Sequence, residues 1–269
     1  MAARRASRSN RRRCGGCTSS CAAFEQAIKW GLIAVNPADA ATPPSLPPGR
    51  ITPPQPAALA EAMRLVDEYD LDFAMYVRLA ATTGARRSQL IALRWSDIDL
   101  DGETITFARA IGHGGTDGGL VERGTKTGLI WKVALADATT GRLVDYRDLC
   151  RERAAAVHTT LAKNGFVFAL EPDGSASWRP DGATRRWGRL RTKAGLDDVR
   201  LHDLRHFVAT QLLGAGVDPR TVAGRVGHLN PAITMTVYAH FLPEKDRAAA
   251  DFLDGLLDDL RRGHRVPAR

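Results

Sequence analysis

Long apolar runs are missing from this chain. Nothing in its 269 residues approaches the ~20 that carry a helix across a bilayer, so no helical membrane span is expected. Acidic residues are missing from the first thirteen positions, which hold Arg4, Arg5, Arg8, Arg11, Arg12 and Arg13. Those arginines account for most of the net charge of +8 and leave only +2 from Cys14 onward. Basicity by itself therefore says little about a nucleic-acid partner. The same segment has no apolar core of the kind a secretory signal needs. It is rich in Arg and Ser, as an organellar transit peptide would be, but lacks the amphipathic pattern. Cysteine is scarce, at four residues. Cys14, Cys17 and Cys21 form C-x-x-C-x-x-x-C, one ligand short of a zinc site unless Cys150 joins them from far along the chain. The expectation is reduced, incidental thiols in a cytoplasmic protein, with no metal and no cofactor.

What is present is ordinary for a globular protein, with 44% hydrophobic and 25% charged residues. Proline is concentrated: eight of the fourteen lie between Pro37 and Pro56. Proline fixes φ and removes a backbone donor, so this stretch predicts an extended, semi-rigid linker and a domain boundary. Before it, residues 21–31 keep helical spacing and end at Gly31. After it, PAALAEAMRLVDEY and LDFAMYVRLAATTG predict two helices, the second stopping at Gly84, and ARRSQLIALRW begins a third. ETITFARAI then alternates, HGGTDGGL turns, and LIWKVALAD is a second apolar stretch, a pattern that predicts one small antiparallel sheet. A long helix is expected from Asp137 to Lys163, a short strand at GFVFAL, and four or five helices between Pro180 and Leu260. Gly214 and Gly216 stop one of those helices, and Asp218-Pro219 starts the next. Arg185, Arg186, Arg189, Arg191 and Lys193 are spaced to share a basic surface.

The chemistry-bearing residues are scattered. His202 and Arg205, three apart in LHDLRH, lie about one helical turn apart on one face, where an imidazole and a guanidinium fork can meet one phosphate. Arg86 follows the helix-ending Gly84. Lys126 lies in the glycine-flanked GTKTG turn. His228 follows Gly227, with Asn230 and Pro231 placed to start a helix that carries Tyr238 two turns later. Taken alone, each has a plain structural explanation: a pair, a cap, a solvated lysine, a core tyrosine. A phenol has a free pKa of ~10 and needs neighbouring cations before it can act as a nucleophile.

In order and spacing, TGARRSQLIALRWSDIDL, GTKTG, LHDLRHFVATQLLGAG, VGHLN and TVYAHF resemble the motif blocks of the tyrosine recombinase (phage integrase) family over roughly residues 24–245. The resemblance implies the family's DNA breaking-rejoining fold, mainly α with a small antiparallel sheet, and a partner in double-stranded DNA. It implies that Arg86, Arg205 and His228 hold the non-bridging oxygens of the scissile phosphate. Lys126 would be the general acid toward the departing 5′-oxygen, and His202 would assist proton transfer at Tyr238. Tyr238 would attack phosphorus to give a 3′-phosphotyrosyl link, with neither metal nor ATP. Self-association as a synaptic tetramer on DNA follows from the same resemblance, as does a place with the bacterial nucleoid in the cytoplasm.

By the same resemblance the expected divisions are a basic, disordered segment (residues 1–21), a remnant helix of a core-binding domain (22–36), the linker (37–56), a catalytic domain (57–243) and a C-terminal helix and tail (244–269). The tail's Phe252, Leu253, Leu256, Leu257 and Leu260 form an apolar stripe that packs on its own domain or docks on a neighbouring subunit. Two departures stand out. Gln89 occupies a position where the family commonly has a glutamate, which implies altered support for Arg86. Residues 1–21 do not resemble core-binding helices, which suggests a misplaced start or shifted frame and weak DNA binding by the chain as it stands. Two alternatives remain: a type IB topoisomerase, which rejoins the same strand, and a DNA-binding remnant without turnover.

Overall fold

The computed structural model describes residues 17–40, 53–114, 119–124 and 130–228. The chain divides into two units at Arg50. In the first, helix α1 (Cys17–Lys29) begins earlier than the expected residue 21. It ends as its glycine predicts: Gly31 takes φ +73°, Leu32 N–H donates to Ala27 O (2.9 Å) and Gly31 N–H to Ile28 O (3.0 Å). This is the Schellman closure, in which a left-handed residue lets the next amide reach back to an orphan carbonyl. A 3-10 turn follows at Pro37–Ala40, started by Asn36, whose Oδ1 accepts from Ala38 N–H (2.9 Å).

The second unit is built from seven helices and two small sheets among the described residues. Helix α2 (Pro56–Asp67) starts on a proline, and α3 (Leu71–Thr83) is capped by Asp70, whose carboxylate accepts from Phe73 N–H (3.0 Å). Its apolar side supplies Phe73, Tyr76, Val77 and Leu79 to the core. Tyr76 stacks on Phe73 at 5.6 Å and meets Phe168 edge-on at 5.1 Å. Helix α4 (Arg87–Ile91) is a single turn and a half, much shorter than ARRSQLIALRW suggests. The chain then tightens into a 3-10 turn at Trp95–Asp97, where Asp97 accepts from Arg94 N–H (3.0 Å).

The β region forms two sheets where one was expected. Strands β1 (Ile98–Asp99), β2 (Thr104–Phe107) and β5 (Trp131–Ala134) make an antiparallel sheet in the order β1-β2-β5, with Phe107 opposite Trp131. Strands β3 (Arg109–His113) and β4 (Leu120–Gly124) make a separate hairpin. The alternating run ETITFARAI breaks after Phe107, and its second half pairs only with β4.

Helix α5 (Asp137–Ala156) stops seven residues before the expected Lys163. His158 adopts φ +58°, and Thr159 N–H and His158 N–H close on Ala154 O and Ala155 O (both 3.0 Å). This is another Schellman end, made here by a residue with a Cβ, and no glycine announces it. GFVFAL forms no strand. It makes isolated bridges, Arg94 to Phe166 and Ala169 to Ser177, while Val167 and Phe168 fill the core. Helices α6 (Pro180–Lys193), α7 (Asp203–Gly214) and α8 (Pro219–Val226) complete the described unit. The α7–α8 turn agrees with its sequence: Gly216 takes φ +89° and Asp218 accepts from Thr221 N–H (2.7 Å). Further helices expected before residue 260, and the apolar tail stripe, lie outside the described residues.

Candidate active site

Three helix ends far apart in sequence meet at one place: the α3–α4 junction, the start of α7 and the end of α8. Gly84 makes the first possible. It ends α3 at φ +68°, and a Cβ there would stand 2.9 Å from Val226 Cγ1 and 3.5 Å from Val208. No L side chain fits both the conformation and the space.

Arg205, only 3% exposed, fastens the three together. Its Nη1 donates to Gly84 O (2.8 Å) and to Val226 O, so one guanidinium bonds the carbonyl ends of α3 and α8. Carbonyls at helix C-termini carry partial negative charge, which suits a buried cation. Arg86 leads into α4, its Nη1 3.5 Å from Gly227 O, and its side chain still reaches solvent. Gln89, 5% exposed, supports it through the backbone: Gln89 Oε1 accepts from Arg86 N–H (2.9 Å). The departure noted in the sequence is thus an amide that satisfies the first orphan donor of α4. Arg225 adds a further tie, donating through Nε and Nη2 to Thr82 O (3.2 and 2.9 Å).

The imidazoles complete the arrangement. His202 precedes α7, and His206, one turn later, meets its ring edge-on at 5.2 Å. His228 closes α8: Gly227 takes φ +65°, Gly227 N–H donates to Gly224 O (3.1 Å) and His228 N–H to Ala223 O (2.8 Å). Burial first, then the positive charges of Arg205 and Arg86, hold the His202 imidazole below its ordinary pKa. His228 is pushed down to about 4 by burial, with Arg205, Arg86, His206 and His202 all acting on it. His206 falls to about 4 through burial and then His202. The acid acting on His202 and His206 is Asp203, 2% exposed and engaged by Arg200, which donates from N–H (2.8 Å), Nε (3.2 Å) and Nη2 (3.0 Å). The result is two guanidiniums among neutral imidazoles, a field that favours an anion with several oxygens.

Of the six residues predicted from sequence, Arg86, His202, Arg205 and His228 gather here. Lys126 and Tyr238 lie outside the described residues. The sequence reading did not assign His206, although its spacing of four from His202 gives the same helical face. It also did not assign Arg225 or Trp131. Four cations of the α6 basic run, Arg185, Arg186, Arg189 and Lys193, line one surface cavity, and Arg191 does not. Arg185, Arg189 and Lys193 are exposed, but Arg186 turns back onto Asp70 (3.3 Å) and the Trp178 ring (4.1 Å), and Arg191 donates to Val199 O (3.4 Å). Cys150 is a half-buried free thiol on α5, pushed up to about 11 chiefly by burial. Cys14 and the side chains of Cys17 and Cys21 are outside the described residues.

Residues 50–245 match the model of the phage integrase family, and the chain belongs to that family. Among curated proteins it is 28% identical over 189 residues to a tyrosine recombinase XerC-like protein of Caldanaerobacter subterraneus subsp. tengcongensis, covering 66% of this chain and 48% of that one. It is 26% identical over 241 residues to the ICEBs1 integrase of Bacillus subtilis, covering 89% and 64%. It is 30% identical over 240 residues to tyrosine recombinase XerC of Xanthomonas campestris pv. campestris, covering 87% and 64%. The chain thus spans about half to under two thirds of the length of these relatives. Among solved structures, the Tn1549 transposon integrase bound to circular intermediate DNA superposes with a TM-score of 0.62 at 21% identity, covering 87% of this chain and 76% of that one. XerA recombinase gives 0.56 at 24% identity, covering 77% and 65%. These likenesses show the fold, mainly α with small antiparallel sheets, as the sequence predicts.

Proposed function

We propose that this chain cuts and rejoins double-stranded DNA as a site-specific recombinase, through a 3′-phosphotyrosyl intermediate on Tyr238. The observation that carries the reading is the convergence of Arg86, His202, Arg205 and His228, from three helix ends, on one electropositive spot. The phenol oxygen of Tyr238 attacks the phosphorus and gives up its proton, with His202 neutral and able to assist. The bond to the 5′-oxygen breaks, and Lys126 supplies the proton that oxygen needs. The 5′-hydroxyl of another strand then attacks the phosphotyrosyl ester and restores the phenol. Each step exchanges one phosphoester bond for another, so no external energy source is consumed. The pentacovalent intermediate concentrates negative charge, and preorganised cations stabilise it more than they do the ground state.

The other tyrosines support Tyr238 by their own placement. Tyr76 is fully buried among Phe73, Phe168 and Trp178. Tyr146 donates to Val167 O (3.3 Å), and burial raises its pKa. Tyr69 lies under Lys193 Nζ at 4.3 Å, and its pKa is also raised. None of these partners is one of the four gathered residues.

In this reading residues 57–243 form the catalytic domain behind the proline-rich linker at 37–56. The active form is a tetramer assembled on DNA at the bacterial nucleoid. Among the described residues, no helix is long and apolar enough to cross a membrane. The test uses nicked duplexes with randomised sequence around the nick, so that a cleaved fragment diffuses away and traps the covalent form. The wild-type chain should give a denaturant-resistant protein–DNA adduct, and Arg86→Ala should lower its yield rate by ~100- to 1000-fold. No adduct from any member of the pool overturns the proposal. Relaxation of supercoiled plasmid without strand exchange assigns the chain to topoisomerase-type rejoining instead.

A further inference from the structure

Trp131 is not among the residues the reaction names, yet it packs against Gly227, the residue that precedes one of them. It opens β5, is 8% exposed and stacks on Phe107 at 4.9 Å, its register partner in β2. Its indole Nε1–H donates to Arg225 O (3.3 Å), in the last turn of α8. Its ring faces Gly227 so closely that a Cβ on Gly227 would stand 2.8 Å from Cε2 and 2.9 Å from Cζ2. Gly227 is the left-handed residue whose turn sends the chain to His228, and Arg86 lies 3.5 Å from its carbonyl. A flat, buried ring held by its own sheet thus sets the height of the step from which His228 projects. A side chain on Gly227 or a thinner residue at 131 would move that step.

We propose that Trp131 is a positioning residue for His228. The indole fixes the Gly227 step from below and its N–H fixes the α8 end beside it, so the imidazole meets its anion at a set place. The inference rests on the recombinase reading only in that His228 is taken to serve the DNA phosphate; the contact itself does not depend on it. The groups that act on His228 are Arg205, Arg86, His206 and His202, so a shift of the step changes its titration as well as its aim.

Two measurements on the full chain decide the matter. The first is adduct formation by Trp131→Phe and Trp131→Leu, each in the natural and the His228→Ala background. Displacing a positioned group by ~1 Å can cost ~100-fold, so a partial displacement by Trp131→Phe should slow adduct formation by ~10-fold. In the His228→Ala background the same substitution should cost less than ~2-fold, because the group it places is gone. A general loss of folding would lower both backgrounds alike, and equal losses overturn the inference. The second is an NMR titration of 13C-labelled histidine without DNA. The His228 signal should titrate near about 4 in the natural chain and move toward 6.5 in Trp131→Leu. If Trp131→Leu does not fold, the same shift is read in Trp131→Phe. An unmoved His228 titration overturns the inference. A shifted titration in a chain that forms no adduct leaves the placement standing and sinks the recombinase reading.

Discussion

Gly84→Ala is the substitution whose cost the structure sets most directly. A residue with a Cβ at φ +68° costs about 1–2 kcal/mol in backbone strain. The added methyl would stand 2.9 Å from Val226 Cγ1, an overpacked contact worth about 1–3 kcal/mol. Together the expected loss is about 2–5 kcal/mol, read by urea unfolding of the full chain with tryptophan fluorescence. The two parts separate in a cycle. Val226→Ala removes the opposing methyls and leaves the Val226 carbonyl, with its bond from Arg205, in place. In that background Gly84→Ala should cost only the strain, about 1–2 kcal/mol, and the overpacking part of about 1–3 kcal/mol should appear as the coupling. Gly84 O accepts from Arg205, so DNA cleavage should fall further than stability alone explains. Equal costs in both backgrounds would refute the contact, and a cost under about 0.5 kcal/mol would refute the strain as well.

Three further outcomes are expected. His206 and His228 are pushed down to about 4 by burial, so between pH 6.5 and about 4 the unfolded chain binds protons that the folded chain refuses. Stability should therefore fall as pH drops through that window and level off below it; both rings reach solvent, so each contributes about 1 kcal/mol. Guanidinium melts at steps of pH should show the slope, and His206→Gln with His228→Gln should flatten it. Gln89→Leu leaves the half-buried Arg86 N–H without its acceptor at a cost of about 1 kcal/mol, whereas Gln89→Glu keeps the acceptor and should hold adduct formation near the natural rate. Equal behaviour of the two variants in thermal melts and adduct assays would refute that role. Trp131→Phe should slow adduct formation only where His228 is present.

Punctuation carried most of what was legible in the sequence. Gly31, Gly84, Gly216 and Gly227 each take positive φ, and three of them end a helix where a glycine was read as a stop or turn. Arg86, His202, Arg205 and His228 were found by order and spacing, since their meeting depends on contacts across 121 residues, such as Arg205 to Gly84. Local patterns failed where a residue acts against its type or at long range. His158 ends α5 in a conformation that glycine usually takes, so the helix read on to Lys163. ETITFARAI alternates without a break, yet pairing partners divide it between two sheets. Trp131 looks like any strand aromatic until the fold sets it under Gly227. The Arg185–Lys193 run looks continuous, and four of its cations do line one cavity, but Arg191 donates to Val199 O instead.

The most direct test identifies the residue bonded to DNA. Trapped adducts should be digested with protease and nuclease, and the nucleotide-bearing peptide sequenced by mass spectrometry. The account predicts a phosphotyrosyl bond at Tyr238 and no adduct from Tyr238→Phe. A bond at Tyr69 or at any other side chain, or an undiminished adduct from Tyr238→Phe, would contradict it.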